Sequence, residues 1–360
     1  MPRVIRQHGW GGGGGGYVAV VSGYALWANP TYARPTPDLR PTHAAFGFCH
    51  YNLGMSSSSP QATPPSIPRP VYLGGLAIAV GGAVLFSTKA IVAKLLYRYQ
   101  IDAVTLIAFR MIFSLPVFAV IAWWKMRTEP PLSTSDRWRL VGLGLVGYYL
   151  SSYLDFLGLQ YISVGLERLI LFLTPTFVLL ITTVYFKQTI SRLQWLALLT
   201  SYCGIVLVFV HDLQGGASNV ALGSTLVLGS ACSYAVYLLG SGELVKRIGS
   251  MRLVSYAMCV ASFACIAQFF ILRPVELLIQ PMPVYGLSLL NGIFCTVMPV
   301  FMTMIAVERI GAPVASQAGM IGPVSTLFLG AMILDEPITN WQLAGTSLVL
   351  AGIYLLSKKK

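Results

Sequence analysis

The chain has 360 residues, 56% of them hydrophobic and only 10% charged, where a soluble globular domain carries about 25% charged residues. That balance excludes an ordinary water-soluble enzyme and reads as a protein of the lipid bilayer. Lys and Arg outnumber Asp and Glu by 24 to 12, but no basic stripe with interleaved aromatics is present to hold nucleic acid, so the excess reads as loop charge on a polytopic membrane protein.

Residues 1–69 differ from the rest. Gly11 to Gly16, Ser56 to Ser59 and many prolines give low complexity, which predicts a disordered cytoplasmic tail. Its apolar patch, Tyr17 to Ala28, is too short to cross a bilayer. Met55, followed by a short polar leader, reads as an alternative start. Ten apolar runs follow, near 71–97, 102–124, 137–158, 163–186, 192–211, 220–247, 251–272, 284–308, 312–334 and 340–357. They approach the length needed to cross a ~30 Å hydrocarbon core at ~1.5 Å per residue. Lipid cannot satisfy open backbone polar groups and the runs lack strand alternation, so transmembrane helices are predicted.

Loop charge sets orientation. Lys125, Arg127, Arg137, Arg139, Lys187, Arg192, Lys246, Arg247, Arg252, Arg309 and Lys358 to Lys360 fall on one side, against Arg98 and Arg273 on the other. The positive-inside rule therefore places both termini in the cytoplasm.

The last two runs, Ile310 to Leu356, hold a mid-span proline (Pro323), an acidic hinge Asp335-Glu336-Pro337, and Gly345 and Gly352. The same plan appears from Ile162 to Phe209. One ungapped shift of 148 (323 − 175) pairs Pro175 with Pro323, Gln194 with Gln342 and Gly204 with Gly352. It also pairs Gly75 with Gly223, Arg98 with Lys246 and Gly144 with Gly292. This is an internal duplication, with repeats at 71–211 and 219–357. Five helices is an odd number, so the second copy enters from the opposite face. The fold class is an all-α polytopic membrane protein of ten transmembrane helices in two inverted five-helix repeats. Such pairs place a solute site near the midplane and alternate its exposure.

Charges inside spans need a partner, water or a task. Lys89 and Arg110 lie within the first two spans; Asp155 closes the third, and Glu167-Arg168 opens the fourth. Together they are expected to line an outward vestibule of net charge near +1, suited to a zwitterionic or weakly anionic metabolite. Their counterparts in the second repeat are Tyr237, Met258, Thr303, Ala315 and Ser316, so the cluster is one-sided. Glu243 and Glu308 are read as interfacial. Tyr149 and Tyr153 share one helix face, as do Tyr234 and Tyr237, and such a face can stack on a solute while offering hydroxyls. Pro175 and Pro323 free the carbonyls of Leu171 and Gly319, as kinks or hinges. The steps Gly147 to Ser151 and Ala318 to Gly322 read as close-packing surfaces. The six cysteines contain no CxxC pair, and the four histidines, His8, His43, His50 and His211, lie outside the predicted spans. No disulfide framework, metal site, cofactor or Ser-His hydrolase is implied.

These segments, each with a mid-span proline and a glycine-bearing last span, resemble the EamA repeat, and the whole resembles a ten-helix member of the drug/metabolite transporter superfamily. GGAVLFSTKAIVAKLLY (Gly81 to Tyr97), Arg110 and LDEPITNWQLAG (Leu334 to Gly345) carry the likeness, which covers about 71–357. The resemblance implies export of small metabolites, amino acids among them, across the inner membrane through a central cavity. Two departures stand out. Lys187-Gln188 occupies the place of Asp335-Glu336, and the first span carries Lys89 where small four-helix multidrug relatives have a proton-exchanging glutamate. The expected function is a secondary transporter, an exporter working by alternating access. A channel would need a filter or charged ring, and a membrane scaffold would show no flux. No P-loop is present for ATP hydrolysis.

Overall fold

The computed structural model describes residues 18–21, 24–27, 69–186, 192–214, 219–310 and 312–357. Beyond residue 68 these form ten helical rods. They are α1 Arg69–Tyr97, α2 Ala103–Thr128, α3 Thr134–Leu159, α4 164–186, α5 Arg192–Gln214, α6 Val220–Ile248, α7 Ser250–Leu272, α8 282–310, α9 312–334 and α10 Asn340–Ser357. Eight are long and apolar enough to cross a membrane by themselves, and the second half of α9, Ile321–Leu334, is a shorter apolar helix. The apolar patch of the tail forms a two-stranded antiparallel hairpin, β1 Val18–Val21 with β2 Tyr24–Trp27, Val18 opposite Trp27. The rest of the predicted tail including Met55, the pair Lys187-Gln188, and Lys358 to Lys360 lie outside the described residues, as do the side chains of Glu243 and Glu308.

The interfaces follow the duplication. Helix α1 packs on α8 as α6 packs on α3, and α1 meets α9 as α6 meets α4. The pairs α2–α7 and α5–α10 map onto themselves when the repeats are exchanged. This is the contact pattern of a two-fold between the halves, and the chain is an all-α membrane protein of two inverted five-helix repeats. Polar residues start the rods where expected. Asp102 caps α2 through the Val104 N–H, Ser133 caps α3 through Asp136, and Ser163 caps α4 through Leu166. Between α6 and α7 the chain turns on Gly249 alone at φ 80°, a left-handed conformation that a Cβ disfavours. Trp123, Trp124, Trp138, Trp195 and Trp341 stand exposed near rod ends, as in an interfacial aromatic belt.

Four interruptions break the helical winding, at positions matched between the repeats. Wide π-type turns occupy Leu145–Leu150 in α3 and Ile293–Val297 in α8. Helix α4 breaks between Leu171 and Thr174, and α9 breaks at Met320. Pro175 and Pro323 therefore sit in the first turn of a second half-helix, where a missing N–H costs least, and not in the middle of a continuous kinked rod.

The α9–α10 loop ties the two repeats together. Asp335 ends α9 in the left-handed region, at φ 59°. Glu336 accepts a hydrogen bond from the Val164 N–H at the start of α4 and faces Lys94, while Arg98 Nη2 donates to the Leu334 carbonyl at 3.0 Å. Burial pushes the Glu336 carboxyl above its ordinary value, against the opposing pull of Lys94 and the Val164 N–H. The folded protein then holds this proton more tightly than the unfolded chain, so its contribution to stability falls as pH rises from the ordinary carboxylate value through the folded one. Thermal unfolding in detergent between about pH 4 and pH 7 should show this slope, and Glu336→Gln should flatten it.

Glycines set the peripheral seam. A Cβ on Gly345 would lie 2.6 Å from the Gly204 carbonyl, and one on Gly204 2.6 Å from the Gly345 carbonyl, so α5 and α10 cross backbone to backbone. Gly345→Ala is expected to lower stability by about 1–3 kcal/mol through overpacking. Gly142→Ala, which meets nothing within 4 Å, should be neutral or stabilising by up to about 1 kcal/mol; detergent unfolding midpoints distinguish the two.

Candidate functional site

Three of the four interruptions, those of α3, α4 and α9, line a cavity within the bundle. It holds about 840 Å³ of space free of protein atoms, its open mouth included. Phe86 and Lys89 of α1, Arg110 of α2, and Gly147, Tyr148, Ser151, Ser152 and Asp155 of α3 form one part of its wall. Arg168 and Leu171 to Pro175 of α4, apart from Leu173, form another, and Ser230, Tyr234, Met320 and Ile353 are the contribution of the second repeat.

The charged residues expected to form a vestibule do come together. Lys89 Nζ lies 2.5 Å from Asp155 Oδ2 and 4.0 Å from Glu167 Oε1, and Arg168 Nε lies 3.9 Å from Glu167 Oε2. Glu167 is fully buried and lies behind the wall, not on it. Arg168 Nη2 also donates to the carbonyls of Phe86 and Ser87, each at 3.4 Å. Two rings hold the cations in place. Lys89 and Arg168 stand 5.2 and 5.3 Å from the centre of Phe86. Lys89 and Arg110 stand 5.2 and 5.1 Å from that of Phe156, a favourable contact where water is scarce. Arg110 Nε donates to Thr296 Oγ1 at 2.8 Å, inside the wide turn of α8, and Nη1 to Ser152 Oγ at 3.5 Å. The second repeat thus positions a cation belonging to the first.

The tyrosines are placed less as expected. Tyr149 and Tyr153 are absent from the cavity wall and pack, partly buried, against the apolar core. The cause is the wide turn at Leu145–Leu150, whose winding departs from the 3.6-residue period and brings Tyr148 inward. Tyr148, Tyr234 and Tyr237 form one aromatic cluster. The ring centres of Tyr148 and Tyr237 are 4.9 Å apart, those of Tyr234 and Tyr237 5.5 Å, and the hydroxyls of Tyr148 and Tyr237 meet at 3.3 Å. Gly147 permits this, since a Cβ there would collide with the Tyr237 ring. Pro175 lines the cavity, whereas in the second repeat Met320 does so and Pro323 does not.

Beyond the cluster lies a second, smaller cavity, of about 380 Å³ on the same measure, bounded by Tyr237, Ser241, Ser250, Val300, Thr303 and Met304 among others. Four positions of its wall are repeat-related to wall positions of the first. The shift of 148 carries Phe86, Lys89, Ser152 and Asp155 onto Tyr234, Tyr237, Val300 and Thr303. Tyr148 and Tyr234 line both chambers and stand between them. Several wall residues had little to mark them in the sequence. Ser151 sat in a small-residue step read as packing, yet its hydroxyl lies 3.0 Å from that of Ser230 across the repeat boundary. Phe86, Ser152 and Met320 were indistinguishable from span filler.

The sequence matches the EamA-like transporter family over residues 73–210 and 221–358, one match per repeat. The chain belongs to that family. An uncharacterized transporter of Bacillus subtilis, YcbK, is 30% identical over 73% of this chain and 86% of its own length. An uncharacterized transporter of Archaeoglobus fulgidus is 25% identical over 72% and 90%. A WAT1-related protein of Arabidopsis thaliana is 21% identical over 73% and 79%. One solved crystal structure shares the fold at a TM-score of 0.55 and 14% identity, covering 79% of this chain and 96% of that one. This EamA protein is therefore a multi-pass membrane transporter.

Its buried ion pair has a measurable signature. Removing one partner strands the other charge in the interior, so Lys89→Met alone is expected to cost about 3–5 kcal/mol. Combining it with Asp155→Leu should recover most of that loss, a coupling readable from a double-mutant cycle on detergent unfolding.

Proposed function

We propose that this transporter exports small amino-acid-like solutes across the inner membrane by alternating access, with both termini cytoplasmic. The observation that carries the reading is the pair of unequal, repeat-related chambers divided by Tyr148 and Tyr234. A carrier with inverted repeats exchanges the roles of its two halves, opening one chamber as the other closes. The charged chamber offers Arg110 and Arg168 to a carboxylate and Asp155 to an ammonium group, with Tyr148 and Tyr234 as aromatic walls. Tyr237 takes part through the dividing cluster, and Glu167 by holding Lys89 and Arg168 from behind. Tyr149 and Tyr153 act only through packing. Pro175 and Pro323, each opening a half-helix, fit a hinge role. The charge bias of the loops supports the orientation.

The test is efflux from proteoliposomes loaded with pooled radiolabelled amino acids. Flux should saturate with solute concentration, whereas a channel would conduct without saturation. A hydrogen bond to a charged group contributes about 1.5–3 kcal/mol, so Arg110→Ala should raise the half-saturating concentration about tenfold or more. Unchanged flux and affinity would remove Arg110 from the site.

A further inference from the structure

We propose that Thr296 couples solute capture to the winding of α8: its hydroxyl positions the Arg110 guanidinium only while the wide turn at Ile293–Val297 is formed. The inference rests on the reading of Arg110 as a solute contact. Hydroxyls on regular helices donate three or four residues back, as Thr88 does to Val84, Thr182 to Val178 and Thr183 to Leu179. Thr296 instead donates to the Asn291 carbonyl at 2.9 Å, five residues back, a reach that matches wide winding. With its single proton spent there, the oxygen has a lone pair for the Arg110 Nε–H at 2.8 Å. Thr296 thus fixes the Nε edge of the guanidinium. The Phe156 ring covers one face at 5.1 Å, and Nη1 extends to Ser152 of the chamber wall, 3.5 Å away.

Regular winding would undo this arrangement. The Asn291 carbonyl would then receive the N–H four residues on, and the Thr296 hydroxyl would fall back to Gly292, taking its lone pair from Arg110. The segment already carries a cost in its present winding. Ser288 Oγ and both side-chain polar atoms of Asn291 have no hydrogen-bond partner among the described residues, at 1% and 0% exposure, and the Arg110 bond offsets part of that cost. Helix α2 feels a change here at once, because a Cβ on Gly292 would lie 2.9 Å from the Arg110 carbonyl. The matched turn of α3 is held differently. The shift of 148 carries Tyr148 onto Thr296 but Arg110 onto Met258, and in α3 the Val146 carbonyl is held by the neutral Ser233. A solute carboxylate on Arg110 adds its attraction to the state in which the guanidinium is aligned. It therefore favours the wide turn, and by reciprocity the wide turn favours solute. Thr296 is a positioning residue, acting on the solute through Arg110.

Two measurements on purified full-length protein test this. In detergent without solute, amide hydrogen exchange at residues 293–297 should quicken about tenfold or more in Thr296→Val and in Arg110→Ala, the equilibrium weight of one charge-assisted hydrogen bond. Thr296→Ser should keep the wild-type rate, the double variant should exchange no faster than the faster single, and residues 145–150 of α3 should not change. Wild-type exchange at 293–297 in Thr296→Val, or fully additive effects in the double variant, would overturn the proposal. The second measurement adds an equimolar mixture of the twenty amino acids. The mixture should slow exchange at 293–297 in wild type and Thr296→Ser but not in Thr296→Val. In proteoliposome efflux, Thr296→Val should raise the half-saturating concentration about tenfold with the maximal rate within about twofold, and Thr296→Ser should restore it. A fall in maximal rate alone, or no rescue by serine, would make Thr296 merely structural and overturn the proposal. The expected solute-free result with no response to amino acids would support the linkage of Arg110 to the turn and sink the choice of solute. Where Thr296→Val fails to fold, Thr296→Ala provides the same comparison.

Discussion

In hydrocarbon a backbone N–H or C=O that leaves its helix has no water to turn to. That constraint governs every irregular feature of this protein. Four places give up regular winding, and at each a side chain takes over. Ser233 Oγ donates to the Val146 carbonyl at 2.7 Å in the wide turn of α3, and Thr296 Oγ1 to Asn291 at 2.9 Å in that of α8. At the break of α4, Thr174 Oγ1 reaches the Leu171 carbonyl at 2.7 Å, and at that of α9 Ser87 Oγ reaches Gly322 at 3.1 Å. Two of these four donors come from the opposite repeat, so the halves support one another where each is weakest. Broken helices are tolerable only in a protein interior, and here three of the four breaks contribute to the lining of the larger chamber.

The same scarcity of water explains the arrangement of charge. Lys89, Arg110, Asp155, Glu167 and Arg168 are all buried, and none would persist alone. Each is held by another, by a ring face or by a hydroxyl of the second repeat. The Phe86 and Phe156 rings separate the cations while favouring each of them. Opposing charges and ring faces keep a solute-sized space polar.

Much of this plan was legible in the sequence. A single shift of 148 residues announced the duplication, while the wide turns and helix breaks that fall at matched positions had no mark of their own beyond the paired prolines. Buried charges announced themselves too, since five ionisable residues within apolar runs are hard to explain otherwise. Facing directions were harder to read. A 3.6-residue period puts Tyr149 and Tyr153 on one helix face, while the tyrosine that lines both chambers is Tyr148, within the wide turn at Leu145–Leu150. Prolines read as mid-span kinks are the opening residues of half-helices, because a break placed just upstream removes the clash. Uncharged wall residues such as Phe86, Ser152 and Met320 carry no local mark; their role depends on what the other repeat brings opposite.

Four wall positions correspond between the two chambers, and their residues differ in every pair. Where the first copy kept Lys89 and Asp155, the second has Tyr237 and Thr303, and its chamber is lined by hydroxyl and apolar groups. Identical chambers would offer the same chemistry on both sides of the dividing tyrosines. Unequal drift of the twins instead leaves a symmetric scaffold with a charged compartment and an uncharged one.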